Sequence, residues 1–142
     1  MKSSSVEAGV IIAIIGLIVS AYAEVWGADW KYLGQSGDRI FYYYAESITR
    51  PSKGIVRVRG RADYTEKGII GMVERFGSRY ENVKYSLDLW ELKCPNKTIR
   101  ILSTTHHSKN GEVLDSKKYD NPKWKSIASG SVEDSLHKAV CK

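Results

Sequence analysis

Residues 54–64, GIVRVRGRADY, alternate apolar or small side chains with charged ones. Because successive side chains of a β-strand point to opposite faces of its sheet, this period of two predicts a strand with one buried face. The predicted buried face carries Val56, Val58, Gly60, Ala62 and Tyr64. The opposite face carries Arg57, Arg59 and Arg61, so one side of the sheet is expected to be basic.

The segment before this strand predicts a β-hairpin. WKYLG (30–34) and RIFYYYA (39–45) are rich in the aromatic residues that sheets favour, and the QSGD between them has the composition of a turn. The tyrosines at 42–44 have two interpretations, a platform on which sugars or peptides stack, or ordinary packing on both faces of a strand. Trp30, Trp90 and Trp124 are expected to be core anchors.

After the strand, the period changes to that of a helix. In residues 65–80 apolar side chains recur at helical spacing, Thr65 can cap the start, and Gly77 can end the helix. The apolar stripe consists of Ile69, Val73, Phe76 and Tyr80. One helix is therefore expected between two strands of the sheet.

Strands return in the second half of the chain. In residues 82–94, NVKYSLDLWELKC, the apolar positions change phase after Leu89, which predicts a β-bulge near that residue. Residues 97–107 form the next predicted strand, and Asn110 followed by Gly111 is a strong signal for a tight hairpin. Together these patterns predict an α+β fold, with an antiparallel meander sheet of about six strands and one inserted helix.

The last residues, SVEDSLHKAVCK (131–142), predict a C-terminal helix. Ser131 and Asp134 have the spacing of a capping box, and the residues after them form an apolar stripe that would lie on the sheet. The stripe consists of Val132, Leu136, Ala139 and Val140. Cys141 points away from this stripe on an ideal helix, so we expect the helix to unwind at or just before Cys141.

The N-terminus has the pattern of an export signal. Lys2 precedes an uncharged apolar run, GVIIAIIGLIVSAYA (9–23), which ends in the small-x-small site Ala21-Tyr22-Ala23. Residues 1–23 are therefore a predicted signal peptide, and residues 24–142 a single domain. The alternative is an N-terminal anchor that is not cleaved, although the run is short for a membrane span.

Export determines how the two cysteines are interpreted. In an oxidising compartment an even number of cysteines predicts a disulfide, so Cys94 and Cys141 are expected to pair and to link the last helix to the sheet. Closing so long a loop would stabilise the fold by about 4 kcal/mol in the chain-entropy model. The alternative is two buried free thiols.

Several segments resemble the surface-adhesin protein E family of exported bacterial domains. The resemblance is carried by SLDLWELKC (86–94), TIRIL (98–102), the Asn110-Gly111 hairpin and WKSIASGSVEDSLHKAVCK (124–142), and it extends from Trp30 to Lys142. It implies an exported domain of the periplasm, the cell surface or the medium, with Cys94 as the partner of Cys141. It also implies an adhesin-like role, attachment to host matrix proteins, and homodimer formation.

No motif in the sequence predicts an enzyme. A disulfide would leave no thiol nucleophile, and the chain has no nucleophile elbow and no phosphate-binding glycine loop. His106 and His107 are adjacent on a strand and would point to opposite faces, so they cannot share a metal ion. His137 is most simply a polar flank of the last helix. We therefore expect a binding module without a cofactor; the alternatives are a periplasmic accessory enzyme or inhibitor, or a structural envelope component.

Charge is a more informative indication of a ligand than the tyrosines at 42–44. The net charge is +6, and Arg57, Arg59 and Arg61 would stand about 7 Å apart along one strand face. This strip is a candidate anion-binding site; the alternative is a solvated face that guards against edge-to-edge aggregation. For an exported domain, the partners that fit are a protein or an acidic glycan or lipid, and not nucleic acid.

Overall fold

A computed structural model describes residues 29–142, in which both helices pack on the same face of an antiparallel sheet. We call the face covered by the helices the inner face and the opposite one the outer face. The elements are β1 (Trp30–Ser36), β2 (Arg39–Tyr44), β3 (Thr49–Ser52), β4 (Ile55–Tyr64), α1 (Glu66–Phe76), β5 (Val83–Lys93), β6 (Thr98–Ser108), β7 (Val113–Lys118), β8 (Lys125–Ser126) and α2 (Val132–Val140). Short 3-10 turns, Ala45–Ser47 and Ser78–Asn82, precede β3 and β5.

The sheet has the predicted meander order with two additional strands. Six strands lie in the order β1-β2-β4-β5-β6-β7, while β3 pairs with β4 and β8 pairs with β6. The α+β class and the antiparallel arrangement are confirmed. The two extra strands have four and two residues and are fully exposed, so they carry no apolar alternation that would reveal them.

Strand β4 has the predicted alternation. Val56 and Val58 have no exposed surface, and neither does Ala62. Gly60 continues the same face, where a Cβ atom would lie 2.2 Å from the ring of Trp90. A residue without a side chain is therefore required at this position, because the Trp90 indole lies directly over the strand.

The predicted bulge exists, but its extra residue belongs to a different strand. The pairing of β5 with β6 shifts between Leu89 and Trp90, and the unpaired residue is Leu102 of β6. Strand β5 itself stays in continuous register with β4 from Tyr85 to Lys93. The apolar pattern changes face because two polar residues of β5, Ser86 and Asp88, are buried on the inner face.

Helix α1 begins and ends where the sequence predicts. The Thr65 Oγ1 accepts a hydrogen bond from the Gly68 N–H at 3.2 Å, and Gly77 ends the helix with φ 100°. Met72 is the buried apolar residue of this helix, with Ile69 and Val73 packed around it. The predicted stripe was wrong at its far end, because Phe76 is 57% exposed and Tyr80 lies in the 3-10 turn that follows.

Helix α2 closes the inner face and is held by the predicted disulfide. Leu136 and Val140 are almost fully buried against the sheet. The Ser131 Oγ accepts a hydrogen bond from the Asp134 N–H at 3.1 Å, which caps the start. Cys141 follows the last helical residue and is bonded to Cys94, and no cysteine among the described residues is free.

The predicted signal peptide, residues 1–23, and its cleavage site lie outside the described part of the chain, which begins at residue 29. Within residues 29–142, no helix is both long and apolar enough to cross a membrane.

Candidate binding face of the sheet

The three arginines of the predicted anion-binding strip all lie on the outer face, where neither helix covers them. They alternate along β4 with the buried residues of the inner face. Their surroundings differ, however. The sequence treats Arg57, Arg59 and Arg61 as equivalent, whereas the structure gives carboxylate partners to the first and the last.

Arg57 belongs to an ion-pair cluster with Glu91 and Arg100. Its Nη2 lies 2.8 Å from the Glu91 Oε2, and the Arg100 Nη2 lies 2.7 Å from the Glu91 Oε1. The Glu91 side chain is only 4% exposed. Burial acts to raise the pKa of Glu91, but hydrogen bonds from both guanidiniums outweigh it and hold the pKa below its usual value. Two cations share one anion, so the cluster keeps an excess positive charge.

Arg61 is held by a carboxylate and by an aromatic ring. Its Nε lies 2.7 Å from the Asp63 Oδ1, and its guanidinium lies 4.1 Å from the centre of the Tyr85 ring. The same ring stacks on His107, with centroids 4.8 Å apart. These contacts leave the Arg61 side chain 21% exposed, which limits its access to a ligand.

Arg59 is the member of the strip that remains open. Its backbone N–H donates to the Ser47 Oγ at 2.9 Å, and the residue is exposed. Within residues 29–142, the Arg59 side chain has no carboxylate partner. A guanidinium in this state can still donate two parallel hydrogen bonds to an external carboxylate, sulfate or phosphate.

Aromatic side chains of β1 and β2 lie beside the arginines on the outer face. Tyr42 pairs in register with Arg61 and has its ring 6.0 Å from that of Tyr32, which is 64% exposed. In the neighbouring cross-strand pair on this face, the rings of Trp30 and Tyr44 are 5.6 Å apart. Tyr43, between the two outer tyrosines, instead packs into the core of the inner face. We call Trp30, Tyr32, Tyr42 and Tyr44 the aromatic row.

The prediction that the tryptophans anchor the core holds only for Trp90. Trp90 is 6% exposed and belongs to the main core cluster. Trp124 is only partly buried and takes two cations on its ring, Arg100 at 4.3 Å and Lys93 at 4.8 Å. Trp30 is likewise partly exposed, in the aromatic row. The sequence had no signal for these partners because they are far apart along the chain.

The adjacent histidines serve different faces, as predicted. His107 stacks on Tyr85 of the outer face, whereas His106 joins a polar network on the inner face. The His106 Nδ1 lies 2.7 Å from the Asp115 Oδ1, and its Nε2 lies 3.1 Å from the Tyr64 hydroxyl. The Tyr80 hydroxyl donates to the other oxygen of Asp115.

This network links the end of β4 and the 3-10 turn before β5 to β6 and β7, and no sequence pattern predicts it. Burial acts to raise the pKa of Asp115, but the hydrogen bonds from Tyr80 and His106 outweigh burial and lower it. His137, predicted as a polar flank, has its Nε2 3.1 Å from the Cys94 carbonyl oxygen and so helps to hold α2 against the sheet. Across residues 29–142, no group of three or more His, Cys, Asp or Glu side chains is placed to hold a metal ion.

Comparison with known families identifies the family of this chain. The family model for surface-adhesin protein E matches residues 30–142, so the chain belongs to this family. Membership implies a binding protein with a surface adhesin role, exported or displayed at the cell surface. No curated protein sequence matches the chain.

Proposed function

We propose that this member of the surface-adhesin protein E family binds its partner through the outer face of the sheet, and that the partner presents anionic groups. The observation that carries the proposal is an open sheet face on which the aromatic row lies beside Arg61, with Arg59 exposed two residues earlier on the same strand face. Both helices lie on the other face, so no element of residues 29–142 would have to move for a partner to reach it.

Two kinds of contact are available on this face. Aromatic rings provide flat apolar surface on which a sugar ring or a peptide side chain can pack. Arg59 provides a directional anion site, since a guanidinium matches the geometry of carboxylate, sulfate and phosphate. An acidic glycan or an acidic segment of a matrix protein offers both features. The chemistry is that of recognition, without a cofactor or a covalent step.

The cluster of Arg57, Glu91 and Arg100 supports binding indirectly. Its excess positive charge lies next to Arg59 on the same strand face, which strengthens the attraction for an approaching anion. Its members are already paired, so they position charge rather than offer free donors. The proposed site is therefore centred on Arg59 rather than spread evenly over three arginines.

The test is retention on immobilised heparin, a sulfated glycan, during a salt gradient. Arg59→Ser should elute at clearly lower salt than the parent, because it removes the open guanidinium. Arg75→Ser is the matched control, since Arg75 is an exposed residue of α1 on the opposite side of the sheet. Both variants lose one charge, so equal elution of the two would show that only net charge matters and would refute the proposed site.

A separate part of the proposal concerns where the exported protein begins. We propose that residues 1–23 are removed on export and that residues 24–142 act as one domain. The family match supports this division, because it begins at residue 30, after the proposed cleavage site.

A further inference from the structure

The inner face contains a cleft that the outer-face proposal does not use. It has a volume of about 940 Å³ and lies between α2, the middle of the sheet and the segment that connects β7 to α2. Its apolar walls are formed by Leu33, Phe41, Trp90, Ile101 and Leu136. One of these residues, Ile101, is 42% exposed, which is unusual for an isoleucine of the inner face and places it at the opening.

A buried carboxyl group lies among these apolar walls. Asp88 is 8% exposed, and its Oδ1 accepts no hydrogen bond from the described residues. In the sheet it lies between Gly60 and Thr104, and the Trp90 ring packs over Gly60. Burial raises the pKa of Asp88, although a hydrogen bond from the Thr104 side chain and the positive charge of Arg39 act to lower it.

An unpartnered buried oxygen of this kind requires an explanation. Leaving such an acceptor without a hydrogen bond is costly, and most buried polar atoms in proteins have a partner. Asp88 is also not needed to neutralise a buried cation, because none of the ion pairs of residues 29–142 includes it. An acceptor that lines a cleft is instead available to a donor that enters from outside.

The rim of the cleft is mainly positively charged, in contrast to the acidic group inside it. Its cations are Arg39, Lys117, Lys118, Lys123 and Lys125, against the acidic residues Asp120 and Glu133. The Arg39 guanidinium lies 5.0 Å from the centre of the Phe41 ring, at the junction of the apolar wall and the charged rim. The cleft therefore combines an apolar interior, one buried acceptor and a rim that attracts anions.

We infer that this cleft binds a small amphipathic anion that has an apolar, preferably aromatic, body and one N–H donor. The body would pack against Phe41 and Trp90, and the N–H would donate to the Asp88 Oδ1. The acid group would stay at the rim, near Arg39. A small molecule fits better than a folded partner, because Asp88 is too deeply buried for a flat surface to reach.

Anilinonaphthalene sulfonate is a suitable probe because it has all three features, namely fused rings, an anilino N–H and a sulfonate. Titration of the exported protein should give saturable binding to one site per chain, measured by equilibrium dialysis. Asp88→Asn should weaken this binding by about tenfold, because it removes the charged acceptor while keeping the side-chain shape. Circular dichroism should show that the variant remains folded.

A second variant tests the cleft without touching a buried residue. Ile101→Trp fills the opening and should weaken binding by about tenfold or more. Ile70→Trp is the matched control, because Ile70 is 60% exposed on α1 and does not line the cleft. It should bind as the parent does. Non-saturable binding, equal binding by the two tryptophan variants, or unchanged binding by Asp88→Asn would each overturn the inference.

Discussion

At the scale of single residues, the structure separates arginines that the sequence presents as equals. Alternation along β4 places all three on the outer face, but it contains no information about which carboxylates lie opposite. Arg57 meets Glu91 across a strand pair whose members are 34 residues apart. Arg61 finds Asp63 only two residues away. Position on a strand face, and a same-face pair such as Arg61 with Asp63, follow from local alternation, whereas charge pairing across strands depends on their register.

Glu91 gives a prediction for stability. Glu91→Gln should lower the free energy of unfolding by about 2 kcal/mol near neutral pH, because it leaves two guanidiniums without their shared anion. Urea unfolding followed by circular dichroism measures this difference. Glu112→Gln, at an exposed position, is the matched control and should change stability by less than about 0.5 kcal/mol. Equal effects of the two substitutions would contradict the role assigned to the cluster.

The same variant predicts a pH dependence with a definite sign. The pKa of Glu91 is lower in the folded protein than its ordinary value of 4.5, so its carboxylate stabilises the fold above that pH. The contribution is lost as the pH falls below 4.5 and passes through the folded-state pKa. The difference in stability between the parent and Glu91→Gln should therefore shrink on acidification. A difference that stays constant from neutral to acidic pH would argue against this linkage.

At the scale of elements, the sequence predicts the ends of a helix correctly where hydrophobic periodicity and a capping residue coincide. The end residues of α1 and α2 agree with the sequence because Thr65 and Ser131 cap the starts and Gly77 ends the first helix. Strands β3 and β8 were missed since both are short and exposed. The cleft was missed for another reason. Asp88 interrupts the apolar pattern of the inner face, and sequence reasoning attributed that interruption to a bulge.

The disulfide links helix α2 to the end of strand β5, and its removal should have a large effect on stability. Cys141→Ser should lower the free energy of unfolding by about 4 kcal/mol, because it releases a loop with a sequence separation of 47. Thermal unfolding followed by circular dichroism measures the loss. A reductant should lower the melting temperature of the parent to that of the variant and leave the variant unchanged. A variant that melts with the parent would show that the packing of Leu136 and Val140 suffices to hold α2.

At the scale of the whole molecule, the two faces of the sheet differ in composition and in proposed function. The inner face carries the core, both helices, the disulfide and the cleft. The outer face carries the aromatic row and the arginines, and neither helix covers it. This division lets the two proposals be tested independently. Arg59→Ser should leave the binding of anilinonaphthalene sulfonate unchanged, since Arg59 does not line the cleft.

The last prediction concerns cleavage of the predicted signal peptide on export. The protein recovered from the compartment of export should begin at or near Glu24, because the apolar run is short for a membrane span and ends in a small-x-small site. N-terminal sequencing measures this directly. Ala23→Arg should block processing, since the cleavage site requires small residues, and the longer precursor should then accumulate. Tyr22→Phe is the control, because the middle position of the site tolerates large residues, and it should be processed as the parent is. Recovery of the parent with its apolar run intact in the membrane fraction would instead establish the uncleaved anchor.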